Sequence, residues 1–147
     1  MSGRPFIVDS NVVVSGLLTR DVNAATAVLL DAMLSGEAAF VLSLELLTEY
    51  RSVLLRPTVR RRHGLAPNEV DAILEQLAEH ARIREGVTPV PGAPDPGDDH
   101  LWALLRTVPE AILVTGDKLL LEHPPSAASV VSPREAVRWL RRAPEER

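Results

Sequence analysis

The chain has 147 residues with 20 acidic and 16 basic side chains, so its net charge is -4. Its length predicts one domain over residues 1–147, at the usual ~100–200 residues per domain. The acidic balance argues against a protein that binds nucleic acid through overall charge alone. The chain has no cysteine, which excludes disulfides, thiolate metal sites and cysteine nucleophiles. No apolar run approaches the ~18 residues of a membrane span, and no signal-type segment opens the chain, so we expect a cytoplasmic protein without a membrane partner.

Short apolar runs alternate with helical patterns in the first half of the chain. Residues 6–8 predict a buried strand that ends at a polar triplet. Val12–Val14 is ambiguous, because β-branched residues fit a strand better than a helix. The remaining elements predicted here are a helix over 23–36 that stops at Gly36, a strand over 39–42, and a helix capped by Ser43 that runs towards Leu55 and is ended by Pro57.

The second half continues the alternation around one composition break. Residues 89–97 (PVPGAPDPG) are too rich in proline for a helix, and we predict an ordered loop there. The predicted elements are a helix over 67–81, a strand within 83–90, a helix over 98–107, strands at 111–114 and 130–131, and a helix from Pro133 to about Arg142. This order is typical of an α/β fold with a mainly parallel central sheet.

Several acidic residues lie at the ends of these predicted elements, and one lies within a helix. Asp9 directly follows the first strand, and Asp117 lies three residues after the strand at 111–114. Asp98 and Asp99 open a helix, and Glu49 lies within the helix that Ser43 caps. Functional sites in parallel sheets lie beyond the carboxyl ends of the strands. The topology therefore permits these acids to meet at one end of the sheet.

A carboxylate cluster without histidine or cysteine favours a hard cation. Unneutralised carboxylates repel one another and raise at least one pKa, and all-oxygen ligation suits Mg²⁺ or Mn²⁺. Such a site characteristically serves phosphodiester hydrolysis. Ordinary structural roles stay open for each acid: Asp98 as a helix cap, Asp99 in a first turn, Asp117 in a turn after glycine, and Glu49 as a solvated helix residue.

Four segments in order resemble the motifs of PIN-domain ribonucleases. The first is residues 7–15 (IVDSNVVVS), and the second is 43–50 (SLELLTEY) followed by 53–57 (VLLRP). The third is 95–99 (DPGDD) and the fourth is 114–120 (VTGDKLL). Together they lie within residues 5–121, and a strand and a helix follow to about residue 143. The chain is most similar to the toxin components of bacterial toxin–antitoxin pairs related to the VapC toxins.

The resemblance implies a three-layer α/β/α sandwich and an acidic pocket that holds Mg²⁺ or Mn²⁺. It also resolves residues 12–18 as helix. Asp99 is preferred to Asp98 as a ligand, because the family acid stands four residues before a small helix residue, here Ala103. Some family members carry a further acid at the positions of Leu119 and Leu120. Without that acid, the implied pocket fits one metal ion as well as two. The implied catalytic and metal-binding residues are Asp9, Glu49, Asp99 and Asp117, supported by Ser10, Asn11, Thr115 and Asp98.

The resemblance also implies an endoribonuclease with an RNA substrate, a cognate antitoxin and a homodimeric state. We predict local RNA contacts from a basic stretch that follows the helix bearing Glu49, namely Arg56, Arg60, Arg61 and Arg62. The alternative is a PIN-like RNA- or protein-binding module without catalysis, which intact acids at all four motifs disfavour. A phosphoacceptor receiver domain would need an acidic pair after the first strand. A phosphatase would need a second aspartate where Asn11 stands.

Overall fold

The computed structural model describes residues 4–85, 98–124 and 129–142. In this part of the chain, the strands are β1 (Phe6–Val8), β2 (Val41–Ser43), β3 (Arg82–Arg84), β4 (Ile112–Val114) and β5 (Ser129–Val131). The helices are α1 (Ser10–Leu18), α2 (Ala25–Ser35), α3 (Leu44–Leu54), α4 (Pro57–His63), α5 (Pro67–His80), α6 (Asp99–Thr107), α7 (Lys118–Glu122) and α8 (Pro133–Arg142).

All strand pairs of the described chain are parallel. One sheet has the order β1-β4-β5, and β2 pairs with β3 in a second. A bridge between Phe6 and Phe40 joins the two sheets, and the Phe6 N–H donates to the Ala39 carbonyl at 2.8 Å. The combined order is therefore β3-β2-β1-β4-β5. The order reverses between β1 and β4, which is where open parallel sheets form a crevice beyond their strand ends.

Helices cover both faces of the sheet. Every residue of β1, β2 and β4 is buried, and successive strand residues point to opposite faces. Burial on both faces requires a layer on each side, and the three-layer α/β/α fold is confirmed. The core is mainly aliphatic, with Phe40 and Tyr50 fully buried within it. None of the helices in the described ranges is long and apolar enough to cross a bilayer.

The first helix is the element that local propensity left ambiguous. Residues 12–14 lie in the middle of α1, as the family resemblance predicts. Val12 and Val13 are buried against the core, so tertiary packing outweighs the small cost of β-branched residues in a helix. The packing of these valines therefore fixes the position of α1, and the polar residues at its start lie next to the end of β1.

Two short helices were missing from the sequence prediction. The stretch after Arg56 forms α4, which begins at Pro57 because proline suits the first position of a helix. Residues after Asp117 form α7. The strand predicted within 83–90 begins at Arg82, and its later residues and the loop predicted over 89–97 lie outside the described residues.

Glycine allows α1 to approach α2 closely. A Cβ built on Gly16 would lie 2.5 Å from the Thr26 carbonyl oxygen and 3.1 Å from Leu30. A larger residue would push the two helices apart, because a backbone oxygen cannot move aside as the end of a long side chain can. The contact fixes the position of α1 and therefore of Ser10 and Asn11 at its start.

Candidate active site

The site begins where β1 and β4 end side by side. The Asp9 N–H donates to the Val114 carbonyl at 2.9 Å, so the parallel ladder continues one residue beyond the paired strands. This brings the side chain of Asp9 next to that of Thr115. Asp9 is only 5% exposed and Thr115 is fully buried. Asp9 is the N-cap residue of α1 and makes no side-chain cap bond, although a hydrogen bond from the Ser10 backbone lowers the pKa of its carboxyl.

Two donors converge on one oxygen of Asp9. The Thr115 hydroxyl donates to Asp9 Oδ2 at 2.8 Å, and the Asn11 amide donates to the same atom at 3.2 Å. Asn11 is held in turn by the Gly116 N–H, which donates to Asn11 Oδ1 at 3.3 Å. Burial raises the pKa of Asp9, the Thr115 hydrogen bond opposes this, and the nearby charges of Glu49 and Asp117 raise it further. An ionised Asp9 is therefore held in place at an electrostatic cost.

Glu49 reaches the same crevice from α3 and is paired with a residue of α6. His100 Nε2 lies 3.3 Å from Glu49 Oε1. The hydrogen bond from His100 lowers the pKa of Glu49, burial opposes it, and the charge of His100 and the Ser10 hydroxyl lower it further. Burial lowers the pKa of His100, but its hydrogen bond to Glu49 and the surrounding carboxylates raise it above its ordinary value. Each partner therefore favours the charged form of the other.

The pair leaves two buried atoms without hydrogen-bond partners. Glu49 Oε2 and His100 Nδ1 are both buried, and neither has a partner in the described part of the chain. Unpaired buried polar atoms are rare and costly, so each calls for a bound water, ion or ligand. The carboxyl of Glu49 is close enough to Asp9 for its charge to raise the pKa of that group.

Tyr50 connects α3 to the end of β1 beside the acidic crevice. It follows Glu49 in α3 and is fully buried, and its hydroxyl donates to the Val8 carbonyl at the end of β1. Burial, followed by the charges of Asp9 and Glu49, raises the pKa of Tyr50 well above its ordinary value. The hydroxyl is therefore a fixed neutral donor that ties α3 to the strand that carries Asp9.

The remaining predicted acids lie around this centre. Asp117 is the N-cap of α7, its Oδ1 accepts from the Leu119 N–H at 2.9 Å, and its charge reaches Asp9. Asp98 precedes α6 and its charge reaches His100, while Asp99 is the first residue of that helix. The structure thus brings Asp9 and Glu49 together and places Asp117 and Asp98 within electrostatic range. Within the described ranges, no three acidic or histidine side chains are grouped closely enough to hold a metal ion among themselves.

The basic residues of α4, together with Arg56 just before it, divide between two surfaces. Arg56 and Arg62 line a groove of about 620 Å³ that also contains Glu49, whereas Arg60 and Arg61 line a separate cavity. His63 belongs to neither role, because its Nε2 lies 2.8 Å from the Leu54 carbonyl and its Nδ1 accepts from the Leu65 N–H at 2.9 Å. Both ring nitrogens of this histidine are therefore used in contacts with the backbone.

Sequence reasoning missed His100 and Tyr50. A histidine directly after an acidic pair at a helix start was a usable signal for His100. Tyr50 carried none beyond being the residue after a candidate acid, because its partner is a backbone carbonyl 42 positions away. Ser10, Asn11 and Thr115 were predicted as supporting residues, and the hydrogen bonds above show the contacts that each makes.

Comparison with known proteins gives one family. The family model described as PIN domain matches residues 5–119, which includes the first three acidic segments and all but the last residue of the fourth. The search of curated proteins gave no match.

Proposed function

The chain belongs to the PIN-domain family, and from this premise we propose that it is an Mg²⁺- or Mn²⁺-dependent endoribonuclease. The fold is of the nuclease type, and PIN domains are generally nucleases. The observation that carries the proposal is the convergence of Asp9 and Glu49 at the end of β1, with Glu49 Oε2 buried and unpartnered in the described chain. Two carboxylates that repel each other in a crevice are stabilised by a cation between them.

The residues present fit a hard divalent cation. Mg²⁺ is commonly bound through one or two carboxylates, with waters and substrate phosphate as its other ligands. Asp9 and Glu49 supply two such groups, and Asp117 adds negative charge nearby. When bound, the cation would neutralise charge on the phosphodiester and assist attack by water.

The chain's own residues prepare this site. Thr115 and Asn11 hold Asp9 Oδ2 in one orientation, so a ligand oxygen is in place before any cation arrives. His100 holds Glu49 Oε1 and leaves Oε2 directed elsewhere. Hydrolysis adds the elements of water across a P–O bond, leaving a phosphate on one fragment and a hydroxyl on the other. We assign metal binding to Asp9, Glu49 and Asp117 with an acid of the 98–99 pair.

The pair Asp98 and Asp99 needs its own comparison. The family resemblance favours Asp99, whereas the charge of Asp98 raises the pKa of His100. Asp98→Asn and Asp99→Asn differ only in position and serve as controls for each other. The variant that loses cleavage identifies the acid that serves the site.

The test is cleavage of a mixed RNA pool with Mn²⁺, Mg²⁺ or EDTA. We expect metal-dependent cleavage by the wild type, and a loss of about 100-fold or more in Asp9→Asn, because a ligand carboxylate is removed. Asp31→Asn is the matched control, since Asp31 is exposed on α2. If the wild type cuts no RNA and calorimetry shows no Mn²⁺ binding, the non-catalytic binding module replaces this proposal.

We further propose that the protein is a VapC-like toxin with a cognate antitoxin and a homodimeric state. The support is the family membership and the resemblance of the four acidic segments. Induced expression in a bacterial host should arrest growth for the wild type and not for Asp9→Asn. Growth that continues with both proteins, at equal soluble levels, contradicts the toxin role. Sedimentation of the purified chain tests the dimer.

A further inference from the structure

We propose that the groove between α1, α3 and α4 binds the nucleotide next to the scissile phosphate, with Arg56 and Arg62 holding its phosphates. The inference rests on the proposed nuclease function and specifies how that site receives single-stranded RNA. It also divides the predicted basic stretch, because Arg60 and Arg61 have no part in this contact.

The groove is continuous with the acidic crevice. Ser10, Asn11 and Glu49 are among its lining residues. Ser10 follows Asp9 in the chain, Asn11 hydrogen-bonds it, and the charge of Glu49 reaches it. Its volume of about 620 Å³ lies within the range of pockets that enclose small ligands. A strand whose phosphate lies at the carboxylates therefore continues into this groove with its next nucleotide. The rest of the lining is Val14, Ser15, Leu18, Thr19, Val53, Arg56, Val59 and Arg62.

Two of the four arginines in the basic stretch face the groove. Val59 and Arg62 are three residues apart on α4, which puts them on the same face. Arg56 is the residue before the helix, and all three line the groove. Arg60 and Arg61 line a different cavity together with Pro57, Gly64 and Glu69. Four arginines that look equivalent in the sequence therefore face two different surfaces.

The groove arginines are available for phosphate. Both are exposed, and neither forms an ion pair with an acid of the described ranges. Arg51 on the neighbouring helix differs, since its guanidinium bonds Asp71 at 2.8 Å. The positive charge of Arg56 also reaches Glu49, where it helps to lower the pKa of that carboxyl. Arg56 thus lines the same groove as Glu49, where consecutive phosphates of a strand would pass.

The position of Arg62 is fixed by its neighbour. His63 joins the Leu54 carbonyl to the Leu65 N–H through its two ring nitrogens, so α4 is tied to the end of α3. A guanidinium on a fixed helix loses less freedom on binding than one on a loose loop. The arrangement suits a preformed phosphate contact.

The floor of the groove is aliphatic. Val14, Leu18, Val53 and Val59 are half-buried, and no aromatic ring is among its described lining residues. A base would pack on these side chains without ring stacking and without the hydrogen bonds that read base identity. The contact is therefore tolerant of sequence. Apolar packing beside two cations matches a nucleotide, which carries a base and a phosphate.

The test measures binding of a fluorescent single-stranded RNA octamer of mixed sequence to Asp9→Asn protein, which does not cut it. The expected result is that Arg62→Ala and Arg56→Ala each weaken binding about 10-fold. Each should also reduce the slope of log K against log salt by about 0.7, the value for one phosphate contact on a single strand. Arg61→Ala and Arg60→Ala are matched controls on the same helix and should stay within about twofold. Equal losses for Arg61→Ala and Arg62→Ala, or no loss for either, overturn the inference.

Cleavage by otherwise unmodified protein separates this inference from the proposed function. If the wild type cuts RNA and Arg62→Ala has the same kcat/KM, the nuclease stands and the groove assignment fails. If the wild type cuts nothing but Arg62→Ala still loses RNA binding while Arg61→Ala does not, the groove stands and the proposed function fails. If Arg62→Ala leaves RNA binding intact but abolishes binding of a co-expressed protein partner, the groove belongs to that partner and the inference is overturned.

Discussion

Replacing Thr115 by valine should destabilise the protein through the charge of Asp9. Valine keeps the shape of threonine and removes only the hydroxyl. That hydroxyl is fully buried, donates to Asp9 Oδ2 at 2.8 Å and accepts from the Asp117 N–H at 3.0 Å. The change therefore removes one donor from a buried carboxylate and one acceptor from a backbone amide.

The expected decrease in the free energy of unfolding is the sum of the two lost hydrogen bonds. A hydrogen bond to a charged group contributes about 1.5–3 kcal/mol, and the amide of half-buried Asp117 adds about 1 kcal/mol when it loses its acceptor. We expect Thr115→Val to lower the free energy of unfolding by about 2.5–4 kcal/mol at pH 7. At about 3 °C per kcal/mol for a chain of this size, the melting temperature should fall by about 8–12 °C.

A double-mutant cycle with Asp9→Asn isolates the charged part. In the background of that substitution the hydroxyl meets a neutral amide oxygen, where a hydrogen bond contributes about 0.5–1.5 kcal/mol. Thr115→Val should therefore cost less there, with a coupling energy of about 1–1.5 kcal/mol, above the ~0.5 kcal/mol scatter of independent sites. The assay is urea denaturation in EDTA, with Thr115→Ser as the control that keeps the hydroxyl. Additive single effects, or an equal loss in Thr115→Ser, would refute the reasoning.

Three further changes test other parts of the structure. Asp9→Asn in EDTA should raise the melting temperature at pH 7, because it removes a buried charge. Burial raises the pKa of Asp9 above its ordinary value of 3.8. The folded wild type therefore loses stability as pH rises from 3.8 through the raised pKa. The higher stability of Asp9→Asn over the wild type should vanish near about pH 3, where Asp9 is protonated in both states. Gly16→Ala should cost about 1–3 kcal/mol, since the new Cβ meets the Thr26 oxygen at 2.5 Å. Tyr50→Phe should lower the free energy of unfolding by about 1–2 kcal/mol, because the buried Val8 carbonyl loses its donor. Thermal or urea unfolding measures the effects of Gly16→Ala and Tyr50→Phe.

Each of these has a result that would contradict it. A gain in Asp9→Asn that persists unchanged at about pH 3 would mean that the charge is not its source. Gly16→Ala with wild-type stability would mean that α1 and α2 can separate freely. Ser52→Ala is a control for helix propensity, since Ser52 is exposed on α3. Wild-type stability in Tyr50→Phe would show that another donor satisfies the Val8 carbonyl.

The sequence predicted the elements that rest on local rules. Gly36 ends α2 in the left-handed conformation with φ 84°, and Ser43 caps α3 through the Leu46 N–H at 3.1 Å. Both signals act within a few residues, so they can be read directly from the chain. The α/β class followed because continuous apolar runs between helical patterns predict a parallel sheet. The short helix α4 was missed because seven residues of mostly basic character carry little periodicity.

The site combines both kinds of information. The sequence alone determined that acids follow the strands and that their order resembles a nuclease family, because these are facts of spacing. Only the tertiary structure decided that Thr115 serves Asp9, that His100 pairs with Glu49, and that Arg62 and Arg61 face different surfaces. The partners of the first two pairs stand 106 and 51 positions apart in the chain. Such pairings arise only when packed strands and helices bring distant residues together. Arg61 and Arg62 face different surfaces because neighbouring residues on a helix point about 100° apart.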